Sequence, residues 1–401
     1  MTSLSGIRTI DDLELERQRV FIRVDFNVPL DPEGRITDDD RIVRAVPTIK
    51  HAVEAGARVI LASHLGRPKG EPNPEFSLEP CGARLSEITG YEVLLPDDCI
   101  GDSAKKVVSD LRSGQVCLLE NLRFHAEEEK DDEGFARRLA ELCDVYVNDA
   151  FGAAHRAHAS VHALPRMMRE RGMGYLMRDE LVSLRRITES PERPFVVVLG
   201  GAKVSDKIGV IKALREKCDA LCIGGAMANT LLAAQGKELA ASRIEKDQLA
   251  LSRTLLEKAR ERGVDLLLPI DLVVAEDTKS ASGELVRADA VPSGRMALDV
   301  GPETVALFAA RIAAAKTVLW NGPMGLFENP AFSTGTFELG RAVAGSQAFS
   351  VVGGGDTGAA IRAAGADIAS KIGFISTGGG ASLELLEGKQ LPGVEALRTA
   401  S

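Results

Sequence analysis

One pairing recurs along this chain and limits its fold more than any other feature. A short, β-branched and almost wholly apolar run ends in a polar or glycine-rich loop, and a helical stripe follows. Val20-Phe21-Ile22-Arg23-Val24 leads into Asp25-Phe26-Asn27, after which Ile42, Val46, Ile49 and Val53 fall at helical spacing until Gly56. Arg58-Val59-Ile60-Leu61-Ala62 runs into Ser63-His64-Leu65-Gly66-Arg67-Pro68, Val116 to Leu119 into Glu120-Asn121-Leu122-Arg123, and Val145-Tyr146-Val147 into Asn148-Asp149-Ala150-Phe151-Gly152. Runs that are apolar throughout, rather than alternating, belong to strands buried on both faces. That is the signature of a parallel sheet covered by helices.

The second half repeats the scheme with different loops. Phe195 to Leu199 leads to Gly200-Gly201-Ala202-Lys203, Ala220 to Ile223 to Gly224-Gly225, and Val318-Leu319-Trp320 to Asn321-Gly322-Pro323. Phe349 to Val352 leads to Gly353-Gly354-Gly355-Asp356, and Phe374-Ile375-Ser376 to Thr377-Gly378-Gly379-Gly380. A chain of 401 residues is too long for one ordinary core, so two domains are expected, 1–172 and 191–387. Met173, Leu176, Met177, Leu181, Leu184 and Ile187 form a stripe between them that Pro191 breaks. It reads as a linking helix over 173–190, although an ordinary surface helix of either domain fits the pattern almost as well. The expected fold is α/β: two doubly wound, Rossmann-like parallel-sheet domains facing across a cleft and joined by a helix. Ligands of open parallel sheets bind at the carboxyl ends of the strands, where all these loops lie.

Composition excludes several classes. A net charge of -9 leaves no basic footprint for nucleic acid, and no stretch approaches the ~20 apolar residues of a membrane helix. The N-terminal segment has no apolar core and carries acids early, so a cytoplasmic chain is expected. Six cysteines in this length suggest reduced, partly buried thiols rather than a disulfide framework; Cys218 and Cys222 are one residue too far apart for Cys-x-x-Cys.

The loops of the second half suit phosphates. Glycines after a strand let backbone approach an anion, and the next helix offers its free N–H groups. Lys203 and Lys207, four apart, are expected on one helix face. Gly353-Gly354-Gly355-Asp356-Thr357-Gly358 satisfies G-x-G-x-x-G, a weak dinucleotide fingerprint. No acid follows the next strand to hold a ribose, and Asp356 would repel a pyrophosphate unless a magnesium ion bridged them, which suits a triphosphate better than NAD. No G-x-x-x-x-G-K-[ST] stretch and no protein-kinase signature occur. A nicotinamide-dependent oxidoreductase or a non-catalytic nucleotide binder remains open on these loops alone.

The first half suits a small, multiply charged anion. Arg23, Arg41, Arg67, Arg123 and Arg156 fall near strand ends with His64 and His155. Unpaired guanidinium groups would repel, and each contact to a phosphate contributes roughly 1.5–3 kcal/mol. His155, His158 and His162 have no acidic or Cys partner in a closed zinc pattern.

On these stretches the chain resembles the phosphoglycerate kinase family from end to end. The matching segments are Arg23 to Pro29, Ser63 to Pro68, Glu120 to Phe124, Asn148 to His158, Leu199 to Lys207, Trp320 to Gly325, Gly353 to Thr357 and Ser376 to Glu384. The resemblance implies reversible phosphoryl transfer between 1,3-bisphosphoglycerate and ADP, with Mg2+ on the nucleotide, by a monomeric enzyme of small-molecule substrates. It implies that Asp25, Asn27, Arg41, His64, Arg67, Arg123, His155 and Arg156 hold the glycerate ligand. Lys203, Lys207, Asn321, Gly354 and Thr357 would contact the nucleotide, Gly224, Gly225 and Leu298 the adenine, Glu328 the ribose, and Asp356 the metal. Arg41, Lys203, Gly355, Gly379 and Gly380 would act on the transferred group. The tail 388–401, with Leu391-Pro392-Gly393-Val394, would pack back on the first domain. Ala297 stands where many members have Gly, and Asn229-Thr230-Leu231 lacks a Phe often found after Thr; both could alter nucleotide fit slightly.

Overall fold

The computed structural model describes residues 4–399. The chain divides into two compact units, Met1–Val182 with Gln390–Ser401, and Ser183–Lys389. The first three and last two residues of the expected first domain and its tail lie outside the described residues.

The first unit is built on six parallel strands: β1 (Arg19–Arg23), β2 (Arg58–Ala62), β3 (Val93–Leu94), β4 (Val116–Leu118), β5 (Val145–Asn148) and β6 (Glu170–Met173), in the order β3-β4-β2-β1-β5-β6. β1 lies centrally, with Arg19 beside Arg58 on one flank and Val20 beside Val145 on the other. Its Val20, Phe21 and Ile22 are wholly buried, as an apolar run between two helical layers requires. The Asp40–Glu54 helix, which accommodates Pro47, packs Ile42, Ala45, Ile49 and Ala52 against one face. The tail returns to this unit. Leu391, Val394 and Leu397 are fully buried, Gly393 N–H donates to the Ala154 carbonyl (2.9 Å), and Thr399 N–H donates to that of Gly6 (2.9 Å).

The second unit has its own six parallel strands: β7 (Phe195–Leu199), β8 (Ala220–Ile223), β9 (Asp265–Leu267), β13 (Thr317–Asn321), β14 (Phe349–Gly353) and β15 (Phe374–Ile375), in the order β15-β14-β13-β7-β8-β9. Between β9 and β13 the chain forms a separate antiparallel sheet of β10 (Asp271–Ala275), β11 (Glu284–Arg287) and β12 (Met296–Val300), in the order β11-β10-β12 with a bulge at Val273/Val274. The loop-and-run pattern did not reveal this sheet, because β11 is largely exposed and Asp299 interrupts the apolar run of β12.

The stripe after β6 forms a helix over Tyr175–Glu189 that buries Met177, Leu181, Leu184 and Ile187, and the boundary between the units falls within it. Met173 belongs not to the helix but to the end of β6. The helix start is held by Thr48, whose Oγ1 accepts from Tyr175 N–H (2.9 Å), and by Asp149, which accepts from Met177 N–H (3.1 Å). Burial pushes the Asp149 carboxyl up to about 7, against those hydrogen bonds. All six cysteines are free, and all are buried rather than partly so. Burial pushes the Cys81 and Cys117 thiols up to about 12. Among the described residues no helix is long and apolar enough to cross a membrane.

Candidate functional site

In the first unit the polar loops leave four strands that are neighbours in the sheet, β4, β2, β1 and β5, so they open side by side at one edge. Asp25 and Asn27 follow β1, His64 and Arg67 follow β2, Arg123 follows β4, and His155 and Arg156 follow β5. Arg41 joins them from the first turn of the Asp40–Glu54 helix and donates through Nη1 to Asp25 Oδ2 (2.8 Å). Burial alone would raise the Asp25 carboxyl, but Arg41, His64 and Arg23 together hold it below its usual range. Asn27 Oδ1 accepts from Gly66 N–H (2.9 Å), and Arg123 donates to the Gly66 carbonyl (2.8 Å), so one turn ties three loops together.

Asn121 explains why the β2 and β4 loops meet there. It is fully buried, donates to the carbonyls of Leu65 (2.8 Å) and Phe76 (2.9 Å), and accepts from Arg123 N–H (3.0 Å). The same loop therefore delivers Arg123, which is 4% exposed. Its Nε lies 3.2 Å from Glu129 Oε1 yet makes no aligned hydrogen bond, and the Glu129 side chain is 47% exposed, so this contact neutralises Arg123 poorly. Burial, and then the neighbouring Arg156 and Arg23, disfavour the Arg123 cation. Burial also drives His64 well below its ordinary value, and His158 to about 3, so both rings are neutral. Arg156 Nε donates to His155 Nε2 (3.2 Å). Arg67 is exposed and, among the described residues, makes no ion pair or hydrogen bond. The loop cluster thus carries cationic charge that its own acids do not balance, beside rings that add none.

One arginine departs from the sequence reading. Arg23 is not at the surface of this cluster; it is 1% exposed and lies behind it, against His64, Ser160 and the Val24 carbonyl. Glu128 and Ser160, which sequence reasoning passed over, are its buried company. Nothing marks the middle one of three consecutive glutamates on a short helix as internal.

In the second unit the strand order reverses between β7 and β13, and the loops after these strands interlock through backbone. Gly200 N–H donates to Asn321 O (2.9 Å), Gly201 N–H to Pro323 O (2.9 Å), and Gly225 N–H to Met324 O (3.1 Å). These glycines answer to packing. A Cβ on Gly200 would lie 2.2 Å from the Pro323 carbonyl, one on Gly224 2.4 Å from the Met324 sulfur, and one on Gly225 2.6 Å from Gly201 N. Gly355 and Gly379 differ: a Cβ on either would meet nothing within 4 Å. The positive φ of Gly354 (93°) turns the chain from β14 into the Gly355–Ala364 helix and leaves the first N–H groups of that helix facing open space. Gly379, with φ 49°, caps the Gly380–Leu386 helix, where the Gly378 carbonyl takes the Ala381 N–H (2.9 Å).

Lys203 and Lys207 do not share a helix face, contrary to the spacing argument. Lys203 is exposed in the loop, and Lys207 is the residue before the Ile208–Leu214 helix, because the chain needs the intervening turn to leave β7. Lys207 Nζ donates to Asn321 Oδ1, and burial lowers its ammonium to about 8, opposed by Asp206 and Asp356. The buried Asn321 Nδ2 has no hydrogen-bond partner among the described residues. Thr357 is buried and its Oγ1 accepts from Gly322 N–H (2.7 Å), which ties the β13 and β14 loops together.

A cavity of about 320 Å3 lies beside these loops. Of the expected residues it takes in Gly225, Leu298, Glu328 and Asp356, with Ala297; Lys203, Lys207, Gly224, Asn321, Gly354, Gly355, Thr357, Gly379 and Gly380 are outside its lining. Leu298 comes from β12 of the small sheet, and Met296, Met324 and Leu272 add apolar wall. Asn229, from the segment noted for its missing Phe, lines the cavity too, and sequence reasoning missed Arg243 and Thr278, two residues outside any motif. It also missed Asp299, which burial pushes up to about 7 while it accepts from Gly335 N–H (2.7 Å). An apolar slot of this size with a few polar groups suits a flat heterocycle. Asp356, an exposed carboxylate at its rim, is a hard oxygen donor of the kind Mg2+ takes alongside phosphate oxygens.

The profile of the phosphoglycerate kinase family matches residues 10–389. A phosphoglycerate kinase of Anaeromyxobacter dehalogenans is 57% identical over 394 residues, covering 98% of this chain and 99% of that relative. One of Moorella thermoacetica is 53% identical over 390 residues, covering 97% and 98%. Among solved structures, phosphoglycerate kinase from Coxiella burnetii superposes with a TM-score of 0.86 at 43% identity, covering 98% of each chain. That from Pyrococcus horikoshii does so with a TM-score of 0.84 at 32% identity, covering 97% of this chain and 98% of its own. With the loop chemistry and both sheets in agreement over nearly all of its length, this chain belongs to the phosphoglycerate kinase family.

Proposed function

We propose a division of labour for the family's reaction, 1,3-bisphosphoglycerate + ADP ⇌ 3-phosphoglycerate + ATP. The first unit binds the glycerate ligand through Asp25, Asn27, Arg41, His64, Arg67, Arg123, His155 and Arg156. The second binds the nucleotide: adenine against Gly224, Gly225 and Leu298, ribose near Glu328, phosphates near Lys203, Lys207, Asn321, Gly354 and Thr357. The observation that carries the reading is the buried cationic charge of Arg123, poorly balanced by Glu129 and set beside Arg156, which an anionic ligand would satisfy.

The carboxylate of 3-phosphoglycerate is already a nucleophile at neutral pH, so no general base is needed. The difficulty is bringing two anions together while water is kept out. Arg41, oriented by Asp25, would neutralise the attacking side. Lys203 and the backbone N–H groups of Gly355, Gly379 and Gly380 would take the oxygens of the transferred group in an in-line, loose transition state. Asp356 would hold a magnesium ion, which supplies charge neutralisation on the nucleotide phosphates.

Because the two ligand sets are on different units, transfer requires a closure that aligns them. Small-angle scattering should show the radius of gyration contract with both ligands bound; an unchanged radius would count against closure. Six buried, reduced cysteines agree with a cytoplasmic enzyme, and we take it to be a monomer, which sedimentation would check. The deciding assay is consumption of MgATP with and without 3-phosphoglycerate, coupled to reduction of the acyl phosphate. Turnover that needs both 3-phosphoglycerate and magnesium supports the reading; folded protein that binds ADP without such turnover refutes the glycerate assignments.

A further inference from the structure

A chain of buried polar groups runs behind the loop cluster of the first unit, and its hydrogen-bond direction is fixed at every link. Glu128, fully buried, accepts from Ser160 Oγ–H through Oε1 (2.6 Å) and from Ser160 N–H through Oε2 (2.9 Å). The Ser160 hydroxyl has thereby given its only proton to Glu128, so it accepts from Arg23 Nε–H (2.8 Å). Tyr146 OH donates to the Ser160 carbonyl (2.8 Å) and pins that residue from the far side. The Arg23 guanidinium spends Nη1 on the Val24 carbonyl and turns Nη2 to His64 Nδ1 (3.2 Å).

A guanidinium has five donors and no acceptor. Arg23 can therefore only donate to His64, and Nδ1 must carry a lone pair. Asp25 Oδ1, the acceptor that could compete for a proton on Nδ1, is 4.0 Å away, beyond hydrogen-bond reach. We infer that Arg23, held by Ser160 and Glu128, is a positioning residue that fixes His64 as the neutral Nε2–H tautomer. The ring then presents a hydrogen-bond donor, not an acceptor, to the anion of this unit. Charge agrees with the geometry: Arg23, Arg41 and Arg123 all face the ring, and with its burial they outweigh Asp25 in opposing a second ring proton. The arrangement also accounts for a cation and a carboxylate in the core. A neutral ring turned the other way round would direct a lone pair at an anionic ligand and lose an attraction to a repulsion.

The tautomer part stands on the apo geometry; the kinetic part rests on the reading of this unit as the glycerate site. Long-range 1H–15N correlation on 15N-histidine-labelled protein distinguishes the two tautomers directly. In the unmodified protein at neutral pH, His64 should show the Nε2–H pattern. Arg23→Met removes the donor, and the ring should shift toward Nδ1–H, with Asp25 as the new acceptor. KM for 3-phosphoglycerate should then rise about tenfold, the effect of one lost hydrogen bond, while KM for MgATP stays unchanged. Arg23→Lys, also a pure donor, should keep the Nε2–H form. Should Arg23→Met fail to fold, Ser160→Ala releases the guanidinium without removing its charge and should raise the Nδ1–H fraction. An Nδ1–H ring in the unmodified protein overturns the inference, as does a tautomer unmoved in the folded variants. If the tautomer responds as stated and 3-phosphoglycerate is not turned over, the inference stands and the substrate reading falls.

Discussion

Lys207 keeps its ammonium in a place that penalises it. Burial lowers it to about 8, and Asp206 and Asp356 recover only part of that loss. An unfolded chain holds the same proton to about 10.4. Between those values the unfolded state binds more protons, so this residue makes folding stability rise with pH across that window. Nucleotide binding should go the other way, because a neutral amine has no charge to offer a phosphate. The expected outcome is a kcat/KM for MgADP that falls above about pH 8, with the limb flattened in Lys207→Met and stability no longer rising there. Both are read from pH profiles of rate and of thermal denaturation.

At the scale of elements, the loops after β7 and β13 are fitted to each other so closely that glycine is a steric requirement. Gly322 has φ 98°, and a Cβ there would lie 2.2 Å from the Gly200 carbonyl. Gly322→Ala is expected to cost about 1–3 kcal/mol and lower Tm, because backbone rather than a flexible side chain must yield. Gly355→Ala is expected to leave Tm nearly unchanged, having open space around it, and to lower kcat by crowding the transferred group. The pair separates packing glycines from ligand glycines, a distinction the sequence could not make. Strands 58–62, 195–199 and 220–223 have the same bounds in sequence and structure, because runs apolar on both faces leave no ambiguity. The sheet of β10, β11 and β12 escaped notice because β11 is exposed and polar at both ends, Asp299 interrupts the apolar run of β12, and no run of glycines follows them. The places of Asp25, Arg41 and His64 at strand or helix ends were legible, while their roles rested on the family resemblance. Their support, Glu128, Ser160 and Asn121, was not, since a buried polar residue looks like a surface one until its partners arrive from distant sequence.

At the scale of the molecule, the second unit is one continuous stretch, Ser183–Lys389, whereas the first is made from both ends of the chain. The returning segment contributes three fully buried side chains, Leu391, Val394 and Leu397, each worth about 1.5–3 kcal/mol of burial. Removing residues 391–399 should lower the Tm of the first unit by several degrees and expose it to protease. The second unit should keep its melting transition and its protection, as limited proteolysis followed by mass analysis would check. During synthesis this arrangement reverses the usual N-to-C order of domain completion. The second unit has all its strands while the first still lacks part of its core, so a nascent chain waits with an apolar gap until the segment that carries Leu391, Val394 and Leu397 leaves the ribosome. Any stall or premature stop before Leu391 would therefore leave the half that was made first unfinished.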